Sequence, residues 1–217
     1  YSNLRWKRFI KKNSIKPNEY FLYLGTIQPR KNLEKLIETF EVFSRGFAAR
    51  KLKSSQTKNI KVKQHPQLVI AGKTGWLAET ILERIQESPF KKHIILTGFV
   101  DDSLKKPLYE NAQASLLIGL YEGFGIPIVE AMKAGCPVVS TNVSSIPEVA
   151  GDAALLVDAL TVESLSEKIS MLYEPVIRSA LREKGFVQAA KFSWDKCFEE
   201  TIEFYKEVWQ REFGEKN

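Results

Sequence analysis

The stretch Tyr121–Gly135, YEGFGIPIVEAMKAG, sets two carboxylates, Glu122 and Glu130, eight positions apart with a Gly-Phe-Gly turn and a proline between them. Gly123 and Gly125 remove side chains and let the backbone approach a ligand. Pro127 suits the first turn of a helix, where its missing N–H would be unpaired in any case. The product is a helix N-terminus with open amides, which binds phosphate through its free N–H groups and its partial positive charge. Glu130 falls about one turn inside this helix, and helical side chains lean toward the N-terminus, so its carboxylate reaches back to the same ligand. Glu122 enters from the preceding loop. Two carboxylates beside a phosphate would repel it unless each meets hydroxyl groups instead. A ligand with phosphate in the middle and polyols at both ends, the shape of a sugar nucleotide, meets these demands. Upstream, Arg30 and Lys31 in GTIQPRKN follow a strand end and precede a helix, where they set a fork and a point charge against a diphosphate. Nothing in this chemistry needs a metal or another cofactor.

The elements that must position these groups follow from periodicity. YFLYLGT (20–26), QLVIAG (67–72), HIILTG (93–98), ASLLIGL (114–120) and PVVSTN (137–142) read as strands, with AALLVD (153–158) as a sixth. Between them KNLEKLIETFEVFSR, WLAETILERIQES, SLKKPLYENA and IPIVEAMKAG carry apolar residues at helical spacing. The alternation predicts a Rossmann-like three-layer α/β domain over 17–190, its mostly parallel sheet covered on both faces, with further helical segments at 161–173, 175–191 and 193–213. Ligands of such sheets gather at the carboxyl ends of the strands. GTIQPRKN, AGKTGW, TGFVDD and YEGFG follow the first four strands, so four loops face one crevice.

Composition narrows the class. With 217 residues, 44% hydrophobic and 27% charged, the chain can bury one good core. Its longest apolar runs fall well short of the roughly 20 residues a membrane helix needs, and no signal-peptide pattern opens it, which points to a cytosolic setting. Tyr1 rather than Met comes first, as expected of a piece of something longer. Cys136 and Cys197 lack metal-like spacing and are expected to stay reduced. The net charge of +6 is concentrated in Arg45, Arg50, Lys51, Lys53, Lys58, Lys61 and Lys63, a window without acids. Residues 46–66 read as an inserted, solvated basic loop, without the interleaved aromatics of a nucleic-acid stacking platform. Residues 1–16 read as a linker helix whose Trp6, Phe9 and Ile10 pack on the domain, the alternative being a membrane-facing stripe beside Lys7, Arg8, Lys11 and Lys12. AGKTGW lacks the spacing of a P-loop, which leaves Lys73 facing solvent, and no G-x-G-x-x-G follows the first strand to support a nicotinamide dehydrogenase. His65 and His93 read as structural or exposed, and Cys136 as a buried small residue.

The segment YEGFGIPIVEAMKAGCPVVSTNVSSIPEVAGDAALLVD resembles the donor-binding half of retaining GT-B glycosyltransferases of family 4. The resemblance continues through YLGTIQPRKNL, LVIAGKTGW, ILTGFVDD and FSW at 192–194, covering nearly the whole chain in order. It implies one half of a GT-B fold and a hexosyltransferase that is active at full length, this chain alone being inactive. Glu122, Arg30 and Lys31 are the catalytic set so implied: Glu122 meets the donor-sugar hydroxyls while Arg30 and Lys31 hold the diphosphate with backbone amides around Gly123, Phe124, Gly125 and Ile126. Glu130 holds the ribose diol, Gly98 and Val100 meet the base through their backbone, and Gly25 and Thr26 complete the substrate-binding positions. Read alone, the two acids would also fit the acid and nucleophile of a glycosidase, yet both have a use on one nucleotide.

Two departures from the family stand out. Gly119 occupies a position where many members carry Ser, and Thr26 follows Gly25 where most carry Arg. The GT…PRKN form resembles a mannosyltransferase-like subset and hints at a GDP-mannose donor, with UDP-linked sugars the other option. The resemblance further implies a glycan or lipid-linked acceptor of polysaccharide biosynthesis, held by an N-terminal domain that this chain lacks. It also implies work at the inner face of the membrane with peripheral contact, and no nucleic-acid partner. Residues 191–217, with Phe198, Ile202, Tyr205 and Trp209 at helical spacing, are expected to reach back toward that domain, leaving Trp209 and Phe213 more exposed here than in the intact enzyme. A noncatalytic nucleotide-sugar-binding or regulatory module of the same fold is the alternative.

Overall fold

Short, mostly apolar runs form six strands, β1 (Tyr20–Leu24), β2 (Gln67–Ala71), β3 (Ile94–Gly98), β4 (Ala114–Leu117), β5 (Val138–Thr141) and β6 (Ala154–Val157). The computed structural model describes residues 2–54, 65–158 and 161–214. All strand pairs are parallel, in the order β3-β2-β1-β4-β5-β6, with Tyr20 opposite Gln67 and Phe21 opposite Ala114. β1 alternates Phe21 and Tyr23 into one core with Tyr20 and Leu22 into the other, as the two-residue period of a strand requires. The first core is covered by α2 (Leu33–Ser54), α3 (Glu79–Glu87) and α7 (Val162–Met171), through residues such as Phe40, Ile81 and Leu165. The second is covered by α1 (Ser2–Asn13), α4 (Asp102–Glu110), α5 (Ile126–Lys133) and α6 (Ile146–Ala150), with α8 (Pro175–Ala189) lying along α5. The result is a Rossmann-like three-layer domain whose strand order reverses between β1 and β4, the switch point where such sheets open a crevice.

Several boundaries differ from the sequence reading. Residues 46–54 are not loop but the last turns of α2: Phe43 and Phe47, four apart, extend its buried face, and the good helix formers Ala48, Ala49, Arg50 and Lys51 follow. The rest of that basic segment, with Lys58, Lys61 and Lys63, lies outside the described residues. α3 starts at Glu79 rather than Trp76 because Leu77 takes φ +51°, which no helix continues. β4 ends at Leu117: the next carbonyls, of Ile118 and Gly119, accept from the side chains of Asn32 and Thr141 instead of a ladder.

The two terminal helices behave differently. On α1, Trp6, Phe9 and Ile10 pack against the second core and Arg5 meets Asp101 at 3.2 Å, so the stripe is turned inward. α9 (Trp194–Phe213) is capped by Ser193, whose Oγ accepts from the Lys196 amide at 3.1 Å. It buries no residue; Trp209 is 61% and Phe213 71% exposed. Among the described residues no helix is long and apolar enough to cross a membrane.

Candidate functional site

Across the switch point the loops after β1 and β4 are tied together. Pro29 opens a short 3₁₀ turn over Pro29–Lys31, closed by Asn32 in the left-handed region, and the Leu120 amide donates to the Arg30 carbonyl at 3.0 Å. The turn brings Lys31 Nζ to 2.6 and 2.8 Å from the two Glu122 carboxylate oxygens. Arg30 Nη1 donates to the Tyr121 carbonyl at 2.9 Å and stands 4.0 Å from Glu122. Lys31 is therefore engaged with an acid rather than standing free, and Glu122 is buried, only 7% exposed. The carboxylate folds into space left by Gly119, where an added Cβ would come within 2.8 Å of its Oε1. A serine there, as many members of the resembling family carry, would have to displace this carboxylate. From the other side, Ser144 and Ser145 in the loop after β5 donate to the Glu122 carbonyl at 2.5 and 3.0 Å. Ser144 does so at φ +48°, a backbone state that costs on the order of 1–3 kcal/mol and persists only where its surroundings enforce it.

Gly125 caps α5 at φ +98°, a conformation suited to glycine, and Pro127 occupies the first turn. At the start of α5 Pro127 has no N–H and the Ile128 amide donates to the Gly125 carbonyl at 2.8 Å, so the Ile126 amide stands at the open end of the helix, where the space beside Gly123 is also open. Phe124 and Ile126 are exposed at the same end. One turn in, Glu130 faces α4. Its Oε2 accepts from the Tyr109 hydroxyl at 3.2 Å, and its Oε1 lies 3.5 Å from Lys105 Nζ, which also reaches Asp102 at 2.8 Å. Burial, reinforced by the neighbouring Glu130, drives the Tyr109 phenol well above its ordinary pKa, so it stays a neutral donor.

The loops after β2 and β3 join the same end of the sheet. Gly25 N–H donates to Ala71 O and Gly72 N–H to Gly98 O, each at 2.9 Å. A Cβ on Gly72 would sit 1.9 Å from the Gly25 oxygen, so the two turns meet backbone to backbone. The exposed Thr26 uses its carbonyl to accept from the Tyr23 hydroxyl at 2.9 Å. Gly98, at φ +68°, has open space where a side chain would be, while Val100 buries its side chain in the second core. Lys73 is exposed, as expected, and its ammonium lies over the exposed Phe99 ring, 4.9 Å from the centroid. A groove of about 890 Å³ opens between α5 and α9, lined by Phe124, Ile126, Glu130, Phe192, Trp194 and Tyr205; it borders this constellation without including Arg30, Lys31 or Glu122.

The remaining candidates lie apart. His65 and His93 lie with ring centroids 5.4 Å apart and tilted by 56°, before the starts of β2 and β3, the opposite end of the sheet. Cys136 is buried, its thiol pushed up to about 12 by desolvation, and neither cysteine is bridged. The sequence reading passed over Tyr109, Lys105, Ser144 and Ser145. Lys105 and Tyr109 are four apart on the helix that follows TGFVDD, and the serines follow the fifth strand, so extending the strand-end rule to those segments would have found them.

The chain has counterparts among known proteins. The family described as Glycosyl transferases group 1 matches residues 5–186. An O-antigen chain mannosyltransferase B of Escherichia coli is 33% identical over 188 residues, which cover 86% of this chain and 45% of that protein. Among solved structures, a glycosyltransferase from Rickettsia africae superposes with a TM-score of 0.76 at 17% identity, over 95% of this chain and 52% of that one. The Anabaena HepE protein, in complex with UDP and glucose, gives 0.74 at 15% identity over 95% and 53%. The chain thus spans less than half the length of the mannosyltransferase it matches.

Proposed function

The chain belongs to the group 1 glycosyl transferases, and from that premise we propose that it is the donor-binding half of a retaining hexosyltransferase using a nucleoside diphosphate sugar. The observation that carries the reading is the convergence of Arg30, Lys31 and Glu122 across the β1/β4 switch point beside the open end of α5. In this reading the diphosphate lies against the first amides of α5. Arg30 has donors left over from Tyr121, and Lys31, with three N–H bonds and two used on Glu122, keeps one for a phosphate oxygen. Glu122 faces the sugar hydroxyls and Glu130 the ribose. Substitution at the anomeric carbon proceeds with retained configuration, and the departing nucleoside diphosphate is stabilised as an anion by the two cations and the helix end, without a metal. The mannosyltransferase relative favours mannose as the sugar, and the GT…PRKN form favours GDP as its carrier; the HepE complex keeps a UDP-linked donor in view. Transfer to a glycan or lipid-linked acceptor at the cytoplasmic face of the membrane is then a property of the whole enzyme. Two substrates must be held in register away from water, and that requires a second domain over the crevice.

A thermal-shift panel of GDP-, UDP-, ADP- and dTDP-sugars with the 217-residue chain tests the donor site. At about a hundred times the dissociation constant a true donor stabilises the fold by about 2.7 kcal/mol, a rise in Tm on the order of 5–10 °C. No response to any sugar nucleotide or free diphosphate would end the proposal.

A further inference from the structure

We propose that Tyr109 and Lys105 are positioning residues that turn Glu130 into a selective receptor for a cis-diol, so that the protein tells a ribonucleotide from its deoxy counterpart through two side chains that do not touch the ligand. The inference rests on the donor reading above. Both residues stand on α4, four apart and therefore on one face, and each takes a different oxygen of the same carboxylate. Tyr109 approaches Oε2 from the core, itself 1% exposed, and Lys105 approaches Oε1 from the rim, about one-third exposed. An ionised carboxylate has about four lone-pair sites, two on each oxygen. The Tyr109 hydroxyl takes one site on Oε2, the Lys105 ammonium at 3.5 Å holds Oε1 by charge, and acceptor sites remain on both oxygens of a side chain that is 32% exposed. Two free acceptor sites on adjacent oxygens match the two hydroxyls of a vicinal diol and have no second use on a sugar that lacks them.

The anchoring also keeps Glu130 from swinging back to its own helix end, where it would compete with an anion for the same amides. Tyr109 suits this duty because burial keeps its hydroxyl protonated, so it donates across the physiological range. Lys105 is anchored in turn by Asp102 at 2.8 Å, which limits how far the ammonium can follow the ligand. Neither group is called for by the fold: Tyr109 could fill its cavity as phenylalanine, and Lys105 is rim-exposed.

The test is isothermal titration of the 217-residue chain with GDP and UDP and with their 2′,3′-dideoxy forms. Wild type should prefer the ribose form of whichever nucleotide it binds by about tenfold or more, since a hydrogen bond to a charged group is at stake. Tyr109→Phe and Lys105→Met should each shrink that ratio by about fivefold while leaving affinity for the dideoxy form unchanged, and Lys105→Arg should restore it. A structural role alone would weaken both forms together, and that outcome overturns the inference, as does a wild-type ratio near one. If no diphosphate binds at all, the donor reading falls and this inference with it, whereas binding with an unmoved ratio removes only the inference.

Discussion

Glu122 and Glu130 belong to one short chain segment, yet the protein treats them in opposite ways. Glu122 is buried and held by both N–H···O contacts of Lys31, a residue from a different loop, with Ser144 and Ser145 fixing its backbone. Glu130 is partly open and is oriented by Tyr109 and Lys105 from a neighbouring helix. A desolvated pair resists the loss of either partner, because the survivor is left as an uncompensated charge. A rim-exposed contact is screened by water and adds little to stability. The first acid therefore doubles as a clamp between the β1 and β4 loops, while the second is free to act only when a ligand arrives.

The sharpest way to break this contrast is to remove each lysine. Lys31→Met should cost about 3–5 kcal/mol and lower Tm by at least about 6 °C, whereas Lys105→Met should cost under about 1 kcal/mol, both read from denaturant and thermal unfolding. Equal losses would show that the two acids are not distinguished by burial. A smaller effect is expected on the ligand side. Glu130→Gln should weaken free nucleoside diphosphate and sugar nucleotide alike by roughly 1.5–3 kcal/mol, because its proposed partner is the ribose. Glu122→Gln releases Lys31, so free diphosphate should bind as well as before or better while discrimination among sugars declines. Titration calorimetry separates these outcomes, and matching losses of free diphosphate in both variants would contradict the assignment.

The smallest effect is a control placed far from either acid. Desolvation, with help from His65 and Lys16, holds the His93 pKa below its ordinary 6.5 in the folded state. The unfolded chain then binds more protons than the folded one below about pH 6.5, so stability is complete above that value and is lost as pH falls through the folded pKa. Tm should be lower at pH 5.5 than at pH 7.5, and His93→Gln should flatten the difference. A Tm that rises on acidification would reverse the sign.

The sheet, its order of loops and the acid pair were legible because their signals are local. Five-residue apolar runs specify strands, and Gly-Phe-Gly followed by Pro127 specifies a helix start with little help from tertiary structure. What stayed hidden was pairing at long range. Lys31 and Glu122 are 91 positions apart, and each reads as a free charge until the switch point brings their loops together. Tyr109 looked like one more apolar residue on a helical face because only the fold sets Glu130 before its hydroxyl. The overlong basic loop came from weighing charge over helix propensity. Once Phe43 and Phe47 anchor α2, the alanines and lysines beyond them continue it readily.

The bare surface of α9 also makes the protein its own optical probe. Three of its four tryptophans, Trp76, Trp194 and Trp209, are mostly exposed, and two of these lie on α9, while Trp6 is partly covered under α1. Indole emission moves to shorter wavelength when the ring leaves water. The intrinsic fluorescence of this chain should therefore be red-shifted when nothing covers α9, and it should move blue when a surface closes over Trp194 and Trp209. Trp76→Phe removes the signal from the far loop, leaving a spectrum that reports chiefly on the last helix.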